Sequence, residues 1–283
     1  MVDPTRNDSL SEVLTGNVIR TSSKASLHEA QKLLAESKLA RLVVTDGHGK
    51  LYGMITHRDL VRFLSCDKSG RPLEAIPVRE AMSTPALTLR PTDRIVDAAR
   101  MMNRKGISSI VVTDDGNQIL GIVTKTDLCF HFSLYTSKEK VKDYMTRKVF
   151  TVRPTHSIFF AASVLARQGI SRVPVVDDKL TLCGIITLSD IVKSAPTMRA
   201  EPVPGKRRDR AYRELLLPTA KLAALTASDI MTPNTVTITA EDVLSRAAEL
   251  MIEHGFSGLP VIDAKRKVRG IITKTDITRA IAA

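Results

Sequence analysis

The sequence predicts an α/β (α+β) fold built from four tandem β-α-β-β-α units. Three observations predict it. One phrase recurs four times, a helix-period apolar face precedes the later three copies at constant spacing, and β-branched runs lie between face and phrase. The phrase is glycine, two apolar residues, threonine, two variable residues and aspartate. It reads GMITHRD from Gly53, GIVTKTD from Gly121, GIITLSD from Gly184 and GIITKTD from Gly270.

The elements follow in order within each copy. Segments 83–99, 146–162 and 232–248 align without a gap; the first copy, 15–30, is looser but keeps a matching Ser-Leu-His-Glu-Ala. The first copy opens with Leu14-Thr15-Gly16 where residues 145–146 and 231–232 read Met-Thr. The helix of each later copy carries apolar residues at i, i+3, i+4 and i+7: Ile95, Ala98, Ala99, Met102; Ile158, Ala161, Ala162, Leu165; Leu244, Ala247, Ala248, Met251. That spacing defines one buried helical face. Gly106, Gly169 and Gly255 stand where a helix end favours positive φ, and Lys38 takes that place in the first copy. The runs LVVTD, IVVTD, VPVVD and LPVID then form a strand and turn, with Pro174 and Pro260 expected at strand starts, where a missing N–H costs little. The glycine phrase is the next strand, and a last helix begins near its aspartate.

Each unit spans 10–66, 78–135, 141–194 or 228–283, and a basic, proline-containing linker covers 195–227. At about 55–60 residues one unit alone is marginal. With helices on one side of its strands it leaves apolar surface uncovered, so pairing of units is expected.

Composition excludes several classes. With 43% apolar and 25% charged residues the chain has the make-up of a soluble globular protein. Its most apolar stretch, SIFFAASVLA, is far shorter than the ~20 residues of a spanning helix. The polar opening MVDPTRNDSL lacks a secretory core, so a cytoplasmic location without membrane attachment is expected. Cys66, Cys129 and Cys183 match neither metal nor redox spacing and are expected to be reduced thiols. The six histidines form no HExxH or similar pair, and no Walker-type loop is present. The expectation is a protein that is not an enzyme, holds no metal, requires no cofactor and acts on a partner in trans.

These phrases and helices resemble the CBS-domain family over nearly the whole chain outside the first ten residues and the linker. The chain is similar to archaeal four-CBS proteins and to the regulatory subunit of AMP-activated protein kinase. The resemblance implies four CBS repeats paired as two Bateman modules, 1 with 2 and 3 with 4. It also implies an adenine ligand, AMP, ADP or ATP, with S-adenosylmethionine within the family's range. Carried over position by position, the ribose contacts are Asp59, Asp127, Asp190 and Asp276 beside Thr56, Thr124, Thr187 and Thr273. The residue after each threonine lies toward phosphate: His57, Lys125 and Lys274 suit an anion, and Leu188 does not. A second phosphate-facing position holds Arg41 and Arg172 in copies one and three, and Ser109 and Gly258 in the others. A guanidinium matches phosphate oxygens through its planar fork. Adenine would lie near Val18, Ala86, Val149 and Thr235. Two filled sites, one per module, are expected. A structural reading stands beside this one, because threonine and aspartate at this spacing also cap a helix start.

The net charge is +12. It concentrates in KRRDRAYR (206–213) of the linker and AKRKVRG (264–270) of the fourth repeat's turn. Such runs are either solvated surface or a grip on phosphate backbones. The second reading names Lys206, Arg207, Arg208, Arg210, Arg213, Lys265, Arg266, Lys267 and Arg269 as nucleic-acid contacts, with the ribosome or ribosomal RNA as partner. The alternative is an energy-state sensor regulating an enzyme or transporter. A homodimer is compatible with either.

Overall fold

The computed structural model describes residues 8–194 and 225–283, other than 38, 57, 58, 61, 62, 64–66 and 68. His57, Cys66 and the linker's basic residues, Lys206 to Arg213, therefore lie outside the described residues. Two units are present: one runs to Tyr135 and includes Ile277–Ala283, the other is Thr136–Asp276.

In the first unit, helix α1 (Leu27–Ser37) buries Leu27, Ala30 and Leu34, and α2 (Ile95–Lys105) buries the predicted Ile95, Ala98, Ala99 and Met102. Gly106 ends α2 at φ 63°, its N–H turned back to the carbonyls of Met102 and Asn103. Strand β1 (Arg20–Ser22) lies parallel to β2 (Arg41–Thr45), which pairs antiparallel with β3 (Leu51–Thr56). Strands β4 (Thr88–Leu89), β5 (Ser109–Thr113) and β6 (Ile119–Thr124) repeat that order, and α3 (Lys125–Ser133) follows.

The second unit has the same plan. Hairpins β7 (Arg172–Val176) with β8 (Leu182–Thr187), and β10 (Gly258–Ile262) with β11 (Val268–Thr273), are its sheets; the short β9 (Thr232–Pro233) adds to β8. Its helices are α4 (Ile158–Gln168), α5 (Leu188–Ser194), α6 (Leu244–Glu253) and the start of α7 (Lys274–Ala282). The predicted faces of α4 and α6 are buried.

The prolines correct one expectation. Pro174 and Pro260 are not at strand starts but third in their five-residue strands. At the equivalent places Val43 and Val111 donate backbone N–H bonds to Ile19 and Leu87 of the opening segment. Proline has no such donor. In the second unit the opening strand accordingly shrinks to single bridges, Val152 with Val175 and Ile238 with Val261.

Pairing is reciprocal, through the segment that precedes each repeat. In the first unit the leader of repeat 2 exchanges two backbone bonds with the last strand of repeat 1, Ser83 with Met54 at 2.8 and 3.0 Å. The leader of repeat 1 does the same to repeat 2, Thr15 with Ile122 at 3.1 and 3.0 Å. In the second unit Thr146 pairs with Ile271 and Thr232 with Ile185. Leu14-Thr15 thus does the work of Met-Thr. The leaders also supply carbonyls to the first helical residue of the partner repeat: Ile76 to Leu27, Asp8 to Ile95, Leu225 to Ile158 and Glu139 to Leu244. Those N–H groups have no acceptor within their own helix. Apolar leader residues enter the partner's core, as Ile76, Val78, Ala81 and Met82 do beside Leu27, Ala30 and Leu34.

This exchange explains the glycine of the recurring phrase. A Cβ on Gly53 would stand 2.6 Å from the Ser83 carbonyl oxygen, on Gly121 2.6 Å from that of Thr15, and on Gly184 2.7 Å from that of Thr232. On Gly270 it would meet Met145 Sδ at 2.8 Å and the Thr146 oxygen at 3.0 Å. Any side chain there pushes the leader away.

Two outcomes follow. Gly121→Ala should destabilise the first unit by about 1–3 kcal/mol, the range for overpacking; an unchanged urea midpoint would contradict the close approach. The second concerns Glu241, held by Lys140 at 2.8 Å and Lys142 at 2.9 Å. Hydrogen bonds from these two lysines lower its pKa from 4.5 to about 2. A carboxylate depressed in this way stabilises the fold above its unfolded value, and that contribution is lost as pH falls toward 2. Stability should therefore fall more steeply between pH 4.5 and 2 in the natural protein than in Glu241→Gln. High salt should narrow the difference, since the pair is exposed.

Candidate functional site

The four threonine–aspartate corners are built alike. Oδ2 of Asp59 accepts from the Thr56 backbone N–H at 3.0 Å and from its hydroxyl at 2.6 Å. The same two bonds measure 2.7 and 2.8 Å from Thr124 to Asp127, 2.8 and 2.7 Å from Thr187 to Asp190, and 2.7 and 2.7 Å from Thr273 to Asp276. In three corners the threonine hydroxyl in turn accepts the aspartate N–H. This is a capping box, and it accounts for both residue types at the helix start. The recurrence of Thr and Asp alone therefore does not establish a ligand.

The arginines distinguish the corners. Arg41 opens β2, and its Nη1 donates to the Ser108 carbonyl oxygen of repeat 2 at 3.0 Å, the same oxygen that accepts the Lys125 N–H. Arg172 opens β7 and donates through Nη1 to the Gly258 carbonyl oxygen of repeat 4 at 3.2 Å, and through Nη2 to Ser171 Oγ at 3.4 Å. Each odd-numbered repeat thus sends a guanidinium across to the corner of its even-numbered partner. Ser109 and Gly258 hold the equivalent positions and send nothing back. Gly258 makes the room: a Cβ there would lie 2.9 Å from both Arg172 Nη1 and Thr273 Cγ2.

Both arginines are half-buried. Burial pushes each below the usual arginine value; for Arg41 the charge of Asp127 opposes this. Among the described residues neither forms a salt bridge, and the atoms that accept their hydrogen bonds are neutral oxygens. A partly desolvated cation without a direct ion pair is unfavourable unless something else supplies negative charge beside it.

Other predicted residues divide between corners. Lys125 and Lys274 are half-buried beside Thr124 and Thr273. Leu188 is 47% exposed, beside a corner that receives no arginine. Asp59, 7% exposed, has its second oxygen engaged by Ser83 Oγ at 3.0 Å, a leader hydroxyl that sequence reasoning did not connect to the site. Ser83 aligns with Thr15, Thr146 and Thr232, but which repeat receives it depends on the exchange. Val18 and Ala86 pack on the cluster of Val43, Val111 and Ile119 between the paired repeats, and Val149 and Thr235 are half-buried in the matching openings. Among the described residues no group of three or more His, Cys, Asp or Glu is arranged to hold a metal, and no helix is long and apolar enough to cross a membrane.

Fold and corners together define a protein of paired β-α-β-β-α repeats in which one partner lends a cation to the other. The family model for the CBS domain matches residues 10–66, 78–133, 141–196 and 227–283, and the chain belongs to the CBS-domain family. It is 27% identical over 279 residues to protein MJ1225 of Methanocaldococcus jannaschii, covering 94% of this chain and 95% of that one. Against MJ1404 of the same organism it is 27% identical over 98% of its own length and spans 62% of the relative. The crystal structure of MJ1225, proposed as an archaeal homolog of g-AMPK, is similar with a TM-score of 0.75 at 24% identity, covering 97% of this chain and 100% of that one. An uncharacterized conserved protein from Pyrococcus horikoshii gives 0.70 at 17% identity, over 97% and 100%. At these identities the two structures speak to the fold.

Proposed function

We propose that the protein is a non-catalytic regulator that binds an adenine nucleotide in each unit, at the corners of repeats 2 and 4, and passes the nucleotide level to a macromolecular partner. The observation that carries this reading is the half-buried arginine at each of those corners, which forms no salt bridge among the described residues and donates to neutral carbonyl oxygens. A phosphate group supplies the missing charge in a geometry that a guanidinium fork matches.

In the first unit Arg41 and Lys125 take the phosphate, Asp127 the ribose hydroxyls and Val18 with Ala86 the adenine. In the second, Arg172 and Lys274, Asp276, and Val149 with Thr235 fill these roles. The corners of repeats 1 and 3, Thr56–Asp59 and Thr187–Asp190, act as helix caps without a phosphate-binding cation from the partner repeat. AMP, ADP and ATP fit the two cationic corners better than S-adenosylmethionine, whose sulfonium is repelled by a guanidinium. The partner is the ribosome or its RNA, or else an enzyme or transporter; sedimentation with ribosomal subunits separates these.

Arg41→Met tests the site. Loss of charge-assisted bonds worth about 1.5–3 kcal/mol should weaken AMP or ATP binding in the first unit roughly tenfold or more, read by calorimetry. The ligand-free variant should be at least as stable as the parent, because a half-buried charge without a salt bridge has been exchanged for an apolar chain. Unchanged affinity together with lower stability would show Arg41 to be a structural tie between repeats instead.

A further inference from the structure

The hairpin turns of the second unit form a surface that the nucleotide reading does not use. The turn between β7 and β8 carries Lys179 and Leu180; the turn between β10 and β11 carries Lys265, Arg266 and Lys267. The second turn, expected from sequence as a basic run between two strands, is tied to the first. The Arg266 carbonyl accepts from the Leu182 N–H at 3.0 Å, the Leu180 carbonyl accepts from the Val268 N–H at 3.1 Å, and Thr181 bridges Lys267. The two turns are stitched into one ridge.

Three features set this ridge apart. Leu180 and Arg266 adopt φ of 64° and 59°, in the left-handed region where the equivalent residues of the first unit are Gly49 and Asn117. Bulky side chains are strained there, and such strain is a recurring mark of functional segments. Lys179, Lys265, Arg266 and Lys267 make no salt bridge among the described residues, whereas Arg269 is held by Asp263 at 2.6 Å and Arg153 by Asp178 at 2.9 Å. Each unit has three aspartates in its two turns, Asp46, Asp114 and Asp115 in the first and Asp177, Asp178 and Asp263 in the second, but the first sets Lys50 alone against them and the second sets Lys179, Lys265, Arg266 and Lys267. The aspartates belong to the turn in both units, and the added cations of the second unit are not a requirement of the scaffold.

We infer that this ridge binds the phosphodiester backbone of a nucleic-acid duplex, through Lys179, Lys265, Arg266 and Lys267. Cations on a stitched backbone that form no salt bridge release counterions from a phosphate chain without first breaking an ion pair. The stitched turns set the backbone from which they project before binding. Neither turn carries an aromatic side chain on which unpaired bases could stack, which favours a duplex over a single strand. The inference is independent of the nucleotide sites.

Fluorescence anisotropy of the full chain with RNA and DNA duplexes of about 16 base pairs tests it. The ridge variant is Lys265→Gln, Arg266→Asn, Lys267→Gln; asparagine accepts the left-handed turn, so the hairpin is retained. The control variant, Lys24→Gln, Lys105→Gln, Lys138→Gln, removes equal charge elsewhere on the surface. From roughly 50 to 200 mM salt, the slope of log affinity against log salt should shallow in the ridge variant by about 0.9 for each phosphate it no longer neutralises, and stay at the parent value in the control. Tight binding of both duplexes with this pattern supports the inference. It is overturned if ridge and control variants lose affinity equally, if neither loses any, or if polyglutamate binds the ridge as strongly as the duplexes do.

Discussion

The exchanged leaders are the constraint on which the structure depends. Each repeat receives from its partner the strand that crosses its recurring glycine, the carbonyl that accepts its first helical N–H, and several residues of its core. A repeat without its partner would lack all three. The pairing is thus set by backbone chemistry within each unit, and the absence of a side chain at Gly53, Gly121, Gly184 and Gly270 is its main requirement on the sequence. Once the leaders are exchanged, the start of one repeat's central strand lies against the helix-start corner of the other, and a long side chain there reaches across.

That reach gives the asymmetry. Arg41 and Arg172 cross in one direction, and the small Ser109 and Gly258 leave the return path empty. Four near-identical corners thereby become two that receive an arginine from the partner repeat and two that receive none among the described residues. The cation is held by neutral carbonyls in a place partly stripped of water, which is unfavourable in the free protein and favourable once an anion arrives. A regulator needs such a difference between its two states, since a ligand moves an equilibrium only by as much as it prefers one state. The same economy of scaffold recurs at the hairpin turns, where three aspartates in each unit are joined by Lys50 alone in the first and by three lysines and an arginine in the second.

Much of this was legible in the sequence. The helical faces were, because burial of Ile95, Ala98, Ala99 and Met102 is a matter of spacing alone, and so were the positive-φ glycines 106, 169 and 255. The arginine positions were also legible by alignment of the repeats. What spacing could not show was partnership. The glycine of the phrase looked like part of a strand-to-helix signal, yet its cause is a carbonyl from a segment some 30 residues away in Gly53 and more than 100 away in Gly121. Threonine and aspartate looked like a ligand grip, yet local capping bonds already engage one carboxylate oxygen in every copy. Pro174 and Pro260 were misplaced within their strands because the neighbouring opening strand, whose bond they omit, is itself too short to leave a pattern. The link between the two hairpin turns of the second unit was not legible, because it is made by backbone atoms, which carry no signature in residue type.

The central claim is that reciprocal pairing leaves two cationic corners per chain, one in each unit. Counting bound nucleotides by native mass spectrometry, across an AMP or ATP titration of the full chain, tests it most directly. The account predicts two ligands per chain at saturation, one lost with Arg41→Met and the other with Arg172→Met. Four ligands of similar affinity, or a count that neither substitution changes, would contradict it.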